Sequence, residues 1–323
     1  MVEGDAAALV AELVTQVGSE RISGVQEHGA FGTVAFQLDG IPLDLATARQ
    51  EHYPAPAENP IVRAGTLEAD LARRDFTINA MALDLVAGEL IDLHHGQEDL
   101  SSGQIRFLHA GSVQDDPTRV IRAARYAARL GFELAKESRE QIRSTMQQWP
   151  WAWGQGDAAL TAPPALASRL RMELERLLER EPWPQALDLL EQWKALPLLD
   201  AQLQRDPGRT QRLHWARRLG LPLMPALLAG AADPVALAER LQIPGKHQQW
   251  LKQCGALCDW LMDNPPVLQA SPSIWSTALE QKGWQPEAVA LAVTLRPKQW
   301  RPLLRWWGRW PVSYTQLTLP TKA

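Results

Sequence analysis

The segment from Asp115 to Arg129 constrains the fold of this 323-residue chain more than any other. Its start, Asp115 and Asp116 followed by Pro117, predicts the beginning of a helix, because carboxylates favour the positive end of a helix and proline suits its first turn. Arginine then recurs at steps of three and four, which places four guanidinium groups along one helix face. These residues are Arg119, Arg122, Arg125 and Arg129.

No acidic residue occurs between positions 119 and 132, so the sequence predicts four unpaired arginines on that face. Like charges at helical spacing repel one another. A row of guanidinium groups is therefore expected to meet phosphates or the carboxylates of a partner. The alternative is a solvated basic face.

A second polar segment lies earlier in the chain, from Arg73 to Ala80, and reads RRDFTINA. Its composition predicts a basic turn that leads into a helix start. Asp75 is the expected N-cap, and Thr77 and Asn79 supply short polar side chains near backbone donors.

Together the two segments resemble the signature of the class II tRNA nucleotidyltransferases, which are the CCA-adding enzymes and their bacterial poly(A) polymerase relatives. Further segments match in the same order, and this makes the likeness far more specific than one short pattern. They are LDLATAR at 43–49, IDL at 91–93, GQEDL at 96–100 and AARLGF at 127–132. The likeness covers roughly residues 2 to 180. Asp115 stands where the family pattern has Glu, a departure that conserves charge.

The resemblance implies a template-independent enzyme that adds C and/or A from CTP and ATP to the 3′ end of tRNA. Pyrophosphate would be released, and Mg²⁺ would be the cofactor. The first segment is implied to contact ribose and phosphates, and the second to read the base and face the triphosphate or primer. The implied residues are Arg73, Arg74, Asp75 and Asn79, then Asp116, Arg119, Arg122 and Arg125. Arg129 is a weaker candidate for a phosphate or RNA contact.

Base choice can also be argued from hydrogen bonding. A carboxylate only accepts and a guanidinium only donates, so Asp116 and Arg119, three residues apart, can present an acceptor beside a donor. Cytosine and adenine both offer an amino donor next to a ring-nitrogen acceptor, whereas uracil and guanine reverse that order. Each mismatch in a buried site costs about 1–3 kcal/mol. The pair would therefore select C and A.

Asp44 is the candidate catalytic and metal-binding carboxylate. It alternates with Leu43 and Leu45 in a predicted strand, so its side chain faces opposite to theirs. By resemblance it is the third carboxylate of a group that holds Mg²⁺ and activates the attacking 3′-hydroxyl. The alternative is an exposed strand aspartate.

The family pattern also has a Gly-Gly-x-x-Arg-Asp turn and an Asp-x-Asp pair ahead of the matched region, and neither occurs in this sequence. The chain is therefore expected to be truncated at its N-terminus and to lack the other metal ligands. Such a fragment is expected to be inactive alone, less stable than a longer chain and prone to aggregate. Residues 313–323 are expected to be a non-native tail.

The predicted fold class is α+β, with an incomplete nucleotidyltransferase-type mixed-sheet head followed by an all-helical neck, body and tail. The predicted domains are the head at 1–110, a base-recognising neck at 111–181, an RNA-binding body and tail at 182–312, and the non-native tail at 313–323.

In the head, the pattern predicts a helix at 5–18, strands at 31–38 and 41–46, a loop at 48–66, a hairpin at 80–93 and a connector at 94–115. The loop at 48–66 looks full length by family standards, which favours an enzyme able to add A. Further helices are predicted at 137–148, 165–181, 185–200, 209–220, 233–242, 246–263, 273–282, 286–294 and 298–308.

Composition excludes a protein that coats nucleic acid through its overall charge. The chain is 46% hydrophobic with a net charge of −4, which predicts a soluble globular protein whose RNA contact is a local basic patch. Its two cysteines, Cys254 and Cys258, are expected to be small buried hydrophobes in a reduced, cytoplasmic protein. Neither a signal peptide nor a bilayer-spanning run is evident, and no membrane or obligate protein partner is implied.

Two alternative functions stay open at this point. One is an A-adding enzyme or poly(A) polymerase of the same family, which would differ in primer and base choice. The other is a non-catalytic nucleotide- and RNA-binding module. The segment from Arg301 to Trp310 mixes tryptophan with arginine, a composition that fits either a capping helix or a surface that stacks bases.

Overall fold

The computed structural model describes residues 1–29, 32–149, 162–263, 272–300 and 303–304. The chain divides into two compact units. The head unit comprises Met1–Arg119 and Phe132–Gln141, and the helical unit comprises Val120–Gly131 and Ile142–Ala323. The predicted α+β class is confirmed, because short sheets lie in the head unit and helices make up the rest. The predicted domain boundaries at 110, 181 and 312 stay predictions.

The head unit contains the strands and the shorter helices. Its strands are β1 Ile22–His28, β2 Thr33–Leu38, β3 Ile41–Ala46, β4 Arg49–His52, β5 Ile61–Ala64, β6 Met81–Leu83, β7 Leu90–Asp92, β8 Gln104–Ile105 and β9 Glu133–Leu134. Its helices are α1 Ala6–Val17, α2 Leu67–Ala72, α3 Gly96–Ser101 and α4 Ser112–Asp115. Helices α5 Thr118–Leu130 and α6 Lys136–Gln147 each begin in the head unit and continue in the helical unit.

The largest sheet is antiparallel, in the order β1-β2-β3, and α1 packs on it. Asp5 caps α1 by accepting from the amide of Ala7 at 2.9 Å. The apolar stripe of the helix then meets alternate residues of the strands. The buried residues of this cluster are Ala6, Val10, Ile22, Val34 and Phe36. Helix 5–18 and the strands at 31–38 and 41–46 are confirmed within the described residues, while β1 was not predicted.

The prediction that residues 48–66 form a loop is wrong. Strands β4 and β5 pair as an antiparallel hairpin, with Arg49 opposite Ala64 and His52 opposite Ile61. All three prolines of the segment lie between the strands, where they end the ladder without interrupting it. The connector at 94–115 is also more ordered than predicted, since it holds α3, β8 and α4. The predicted hairpin at 80–93 is confirmed by β6 and β7.

The helical unit continues with helices whose bounds mostly follow the predicted blocks. They are α7 Pro164–Arg180, α8 Trp183–Gln192, α9 Arg209–Arg218, α10 Leu223–Leu228, α11 Pro234–Arg240, α12 Gly245–Asp263, α13 Pro272–Lys282, α14 Pro286–Leu295 and α15 Pro297–Trp300. The block predicted at 185–200 is too long, because α8 ends at Gln192 and a 3₁₀ turn follows at Leu196–Leu198. Helix α10 was not predicted, since its six residues are too few for a periodic pattern.

Two sequence predictions concern residues that the structure does not describe. The tail at 313–323 lies outside the described residues, as does the segment from Arg301 to Trp310 apart from 303–304. Among the described residues, no helix has both the length and the apolar character needed to cross a bilayer.

Candidate functional site

The RRDFTINA segment forms a tightly held turn in the head unit. Phe76 is fully buried and stacks on Phe107 with ring centroids 5.6 Å apart. Thr77 donates its hydroxyl to Asp99 Oδ2 at 2.7 Å. Helix α3 lies so close that a Cβ on Gly96 would be 2.5 Å from the carbonyl oxygen of Thr77. Packing on both sides therefore fixes the backbone of the segment.

Asp75 does not have its predicted role as an N-cap. A short 3₁₀ helix spans Thr77–Asn79, and Phe76 precedes it without a side-chain cap. The Asp75 carboxylate instead accepts from the Phe76 amide at 3.0 Å and from Asn79 Nδ2 at 2.9 Å. The two residues implied to contact ribose thus form one hydrogen-bonded pair.

Arg73 and Arg74 share a single buried carboxylate, that of Asp70 in α2. Arg73 Nη2 lies 2.6 Å from Asp70 Oδ1, and Arg74 Nη2 lies 2.6 Å from Oδ2. Arg73 Nη1 also donates to Glu51 on β4 at 3.0 Å. Burial opposes ionisation of Asp70, but hydrogen bonds from the two arginines outweigh it and hold the pKa of this carboxyl below its usual value.

The second segment begins α5 as predicted. Asp116 Oδ1 accepts from the amide of Thr118 at 3.2 Å and from its hydroxyl at 2.7 Å, so Asp116 is the residue that caps the helix. Arg119 follows in the first turn and is buried. Its guanidinium donates to the carbonyl of Arg73 at 3.0 Å and to that of Ser112 at 3.3 Å. The structure therefore brings the two predicted segments together.

A polar cavity of about 330 Å³ opens beside this junction, within the head unit. Strand β4 and the residues after it form one wall, and the start of the second segment forms another. The lining residues are Glu51, His52, Tyr53, Arg73, His109, Asp115 and Arg119. Asp115 lines the cavity, whereas the Asp116 carboxylate faces Thr118.

His109 is a site residue that the sequence analysis missed. Its Nε2 lies 3.5 Å from Arg119 Nη1 and 3.8 Å from Asp115 Oδ2. Burial, followed by the nearby charge of Arg119, lowers the pKa of this imidazole. No periodic pattern surrounds position 109. Glu51 and Tyr53 were missed because their hairpin was interpreted as a loop.

The prediction of four unpaired arginines on α5 is wrong. Arg119 belongs to the head unit, and the other three belong to the helical unit, where α7 and the residue that follows it supply carboxylates. Glu173 pairs with Arg122 at 3.6 Å and also with Arg125. Glu181 lies 3.1 Å from Arg125 and 3.5 Å from Arg129. The acids were overlooked because they lie about fifty residues away in sequence, where local spacing carries no signal.

Asp44 lies exposed on β3, opposite Ala35 of β2. The described part of the chain contains no group of three or more His, Cys, Asp or Glu side chains arranged to hold a metal ion. Asp44 alone therefore does not make a metal centre, and the residues described here do not fit a complete two-metal site.

Comparison with known proteins identifies the head unit. Residues 5–106 match the family model of the poly A polymerase head domain. The chain is 38% identical over 235 residues to the CC-adding tRNA nucleotidyltransferase of Deinococcus radiodurans, covering 67% of this chain and 55% of that protein. It is 32% identical over 222 residues to the A-adding tRNA nucleotidyltransferase of Aquifex aeolicus, covering 68% of this chain and 25% of that protein.

Solved structures agree on the fold. An apo CCA-adding enzyme superposes with a TM-score of 0.70 at 23% identity, over 94% of this chain and 72% of that one. A CCA-adding enzyme in complex with CTP gives a TM-score of 0.65 at 22% identity, covering 94% of this chain and 71% of that one. The fold is therefore that of the CCA-adding enzymes.

The chain carries the poly A polymerase head domain at residues 5–106, and over about two thirds of its length it is similar to tRNA nucleotidyltransferases. It spans about half the length of the CC-adding relative and a quarter of the A-adding one. Nucleotidyltransferases of this family generally use a divalent metal ion.

Proposed function

We propose that the protein adds C, A or both from CTP and ATP to the 3′ end of tRNA without a template and releases pyrophosphate. One observation carries this proposal: the Arg119 guanidinium is fixed by two backbone carbonyls at the edge of a polar cavity in the head unit. A buried, oriented guanidinium with remaining N–H groups is suited to donate to a nucleobase.

Base selection is assigned to Asp116 and Arg119, with Arg119 as donor. The Asp116 carboxylate caps α5 beside it, and Asp115 adds a second acceptor on the cavity wall. Both carboxylates suit an exocyclic amino group, which cytosine and adenine share. Uracil would present a carbonyl there and leave buried groups unpaired, at a cost of about 1–3 kcal/mol.

The sugar and phosphates are assigned to the RRDFTINA turn. Asp75 and Asn79 would bind ribose hydroxyls, and Arg74, whose side chain is 38% exposed, would bind phosphate. Arg73 lines the same cavity. Arg122, Arg125 and Arg129 remain candidates for the triphosphate or the primer backbone, with Arg129 half exposed. Their pairing with Glu173 and Glu181 holds these side chains in place.

In the reaction, the terminal 3′-hydroxyl of the RNA attacks the α-phosphorus of the nucleotide. The new P–O bond replaces the bond to pyrophosphate, which leaves with the electron pair, and the proton of the attacking hydroxyl is released to solvent. Arginine side chains stabilise the negative charge that develops. We propose Mg²⁺ as the divalent ion of the family, with Asp44 as one ligand. The cytoplasmic location stays a prediction.

Nucleotide addition to a tRNA that lacks its 3′ CCA end tests the proposal, with the four triphosphates offered singly and in pairs. Addition of C followed by A is expected of a CCA-adding enzyme, and addition of C alone or A alone would match the activities named for the two relatives. Repeated A addition to an unrelated RNA would favour a poly(A) polymerase. Nucleotide binding without any addition would favour the non-catalytic module.

A further inference from the structure

Asp70 has a central position that the sequence did not indicate. The residue is fully buried in α2, although an ionised carboxylate is costly to bury without partners. Its Oδ1 accepts from the Arg49 amide at 3.2 Å and from Arg73 Nε at 3.1 Å, and its Oδ2 accepts from Arg74 Nε at 3.1 Å. Arg73 Nη2 also donates to Oδ1, and Arg74 Nη2 also donates to Oδ2. Each carboxylate oxygen therefore accepts from two nitrogens of one guanidinium group.

This arrangement gives the two arginines different roles. Arg73 is also tied to Glu51 and to the carbonyl of Arg49, so its guanidinium is committed to protein groups. Arg74 is oriented by Asp70 but keeps 38% of its side chain exposed. Two adjacent guanidinium groups would otherwise repel each other, and a shared carboxylate holds both in defined positions.

The effect extends to base recognition through the backbone. Fixing the Arg73 side chain also fixes the residue whose carbonyl oxygen accepts from Arg119 Nη2 at 3.0 Å. A single carboxylate is therefore linked to Arg74, which is assigned to the phosphates, and to Arg119, which is assigned to the base.

We propose that Asp70 is a positioning residue that sets Arg74 for the triphosphate and, through Arg73, sets Arg119 for the nucleobase. This role rests on the proposed function. A carboxylate that served only folding would affect stability alone. A positioning carboxylate also affects nucleotide affinity and base discrimination.

The test compares Asp70→Asn with Asp206→Asn. Asp206 is a matched control in the helical unit, because its nearly buried carboxylate pairs with the buried Arg212. For each folded variant, the melting temperature, the Kd for CTP and the ratio of CTP to UTP affinity are measured.

We expect Asp70→Asn to weaken CTP binding about tenfold and to lower the ratio of CTP to UTP affinity, as loss of a charge-assisted contact implies. Asp206→Asn should lower the melting temperature only. The inference would be overturned if Asp70→Asn kept both the Kd for CTP and the ratio of CTP to UTP affinity within about twofold of the parent protein.

A charge-balanced variant covers the case in which Asp70→Asn does not fold. Asp70→Asn combined with Arg74→Gln removes one charge of each sign and is compared with Arg74→Gln alone. The double variant should lose further CTP/UTP discrimination, because the link through Arg73 to Arg119 is still broken. Equal discrimination in the two variants would overturn that link.

The same experiment separates this inference from the proposed function. If the parent protein binds CTP but adds no nucleotide to tRNA, the enzymatic proposal fails and the role of Asp70 is still decided by the affinities. If the parent protein does not bind CTP, both proposals fail.

Discussion

Arg119 Nη2 donates to the carbonyl oxygen of Arg73 at 3.0 Å, which joins the first turn of α5 to the start of the RRDFTINA turn. The contact is buried at Arg119, where a lost hydrogen bond is not replaced by water. The geometry of the candidate site therefore depends on a backbone atom of one segment and a side chain of the other.

Replacing Arg119 by lysine should impair recognition of both CTP and ATP. A lysine ammonium is a single charged group and cannot reproduce the planar fork that reaches the carbonyls of Arg73 and Ser112. We expect kcat/KM for either nucleotide to fall by at least about tenfold, with a smaller loss of thermal stability. Arg217→Lys, at an exposed position of α9, is the matched control and should leave kcat/KM unchanged.

Replacing Asp116 by alanine should weaken binding of CTP and ATP while barely changing that of UTP. The substitution also removes the cap of α5, at a cost of about 1 kcal/mol in unfolding free energy. Titration with each nucleotide measures the first effect, and urea denaturation measures the second. Asp115→Ala retains the cap and shows whether the cavity-lining carboxylate contributes to base choice. Equal losses for all three nucleotides would contradict a role for Asp116 in base reading.

His109 should make the head unit less stable in mildly acidic solution. Burial and Arg119 lower its pKa in the folded protein, so between the folded and unfolded pKa values the unfolded chain binds more protons. The contribution of His109 to stability is therefore present above pH about 6.5, the ordinary value for histidine, and is lost as the pH falls through the folded pKa. His109→Gln should reduce the drop in melting temperature between pH 7.5 and pH 5. The same pH dependence in the variant would assign the effect elsewhere, for example to His247, whose pKa burial also lowers.

Replacing Glu173 by glutamine should destabilise the helical unit by about 3 kcal/mol, because it leaves the buried Arg125 without the carboxylate beside it. Arg122, Arg125 and Arg176 all pair with this residue. Urea denaturation monitored by tryptophan fluorescence measures the change. Glu175→Gln on the same helix is the control, since its ion pair with Arg171 is partly exposed and 3.7 Å long. That control should change stability by less than about 1 kcal/mol. Similar losses for both variants would contradict a special role for the buried network.

The elements that were predicted correctly carry their signal within a short stretch. Helix α1 has its cap and its apolar stripe within fourteen residues, and β6 and β7 flank a glycine turn. Strand β1 was missed because its residues after Ile22 are exposed, so alternation is absent. Prolines made the β4–β5 segment resemble a loop, although they lie in the turn between its strands.

The candidate site was predicted in part for the same reason. Both motif segments could be located by residue type and order, and the structure places them in contact. The surrounding groups could not be located, because Asp70, Glu51 and His109 act through partners on other elements. Pairing of Arg125 with Glu173 is a contact across 48 residues, which helical spacing cannot reveal. Long-range pairing of charges depends on tertiary packing.

The cluster around Asp70 also has a consequence for the response of the site to ionic strength. Arg49, Arg73 and Arg74 bring three positive charges, and Asp70 and Glu51 bring two negative ones. Most of that positive charge is compensated within the protein, so little of it attracts mobile anions from solution. Added salt competes with a ligand mainly through such exposed, uncompensated charge. This cluster should therefore bind its ligand through directed hydrogen bonds, with an affinity that changes only modestly as the ionic strength rises.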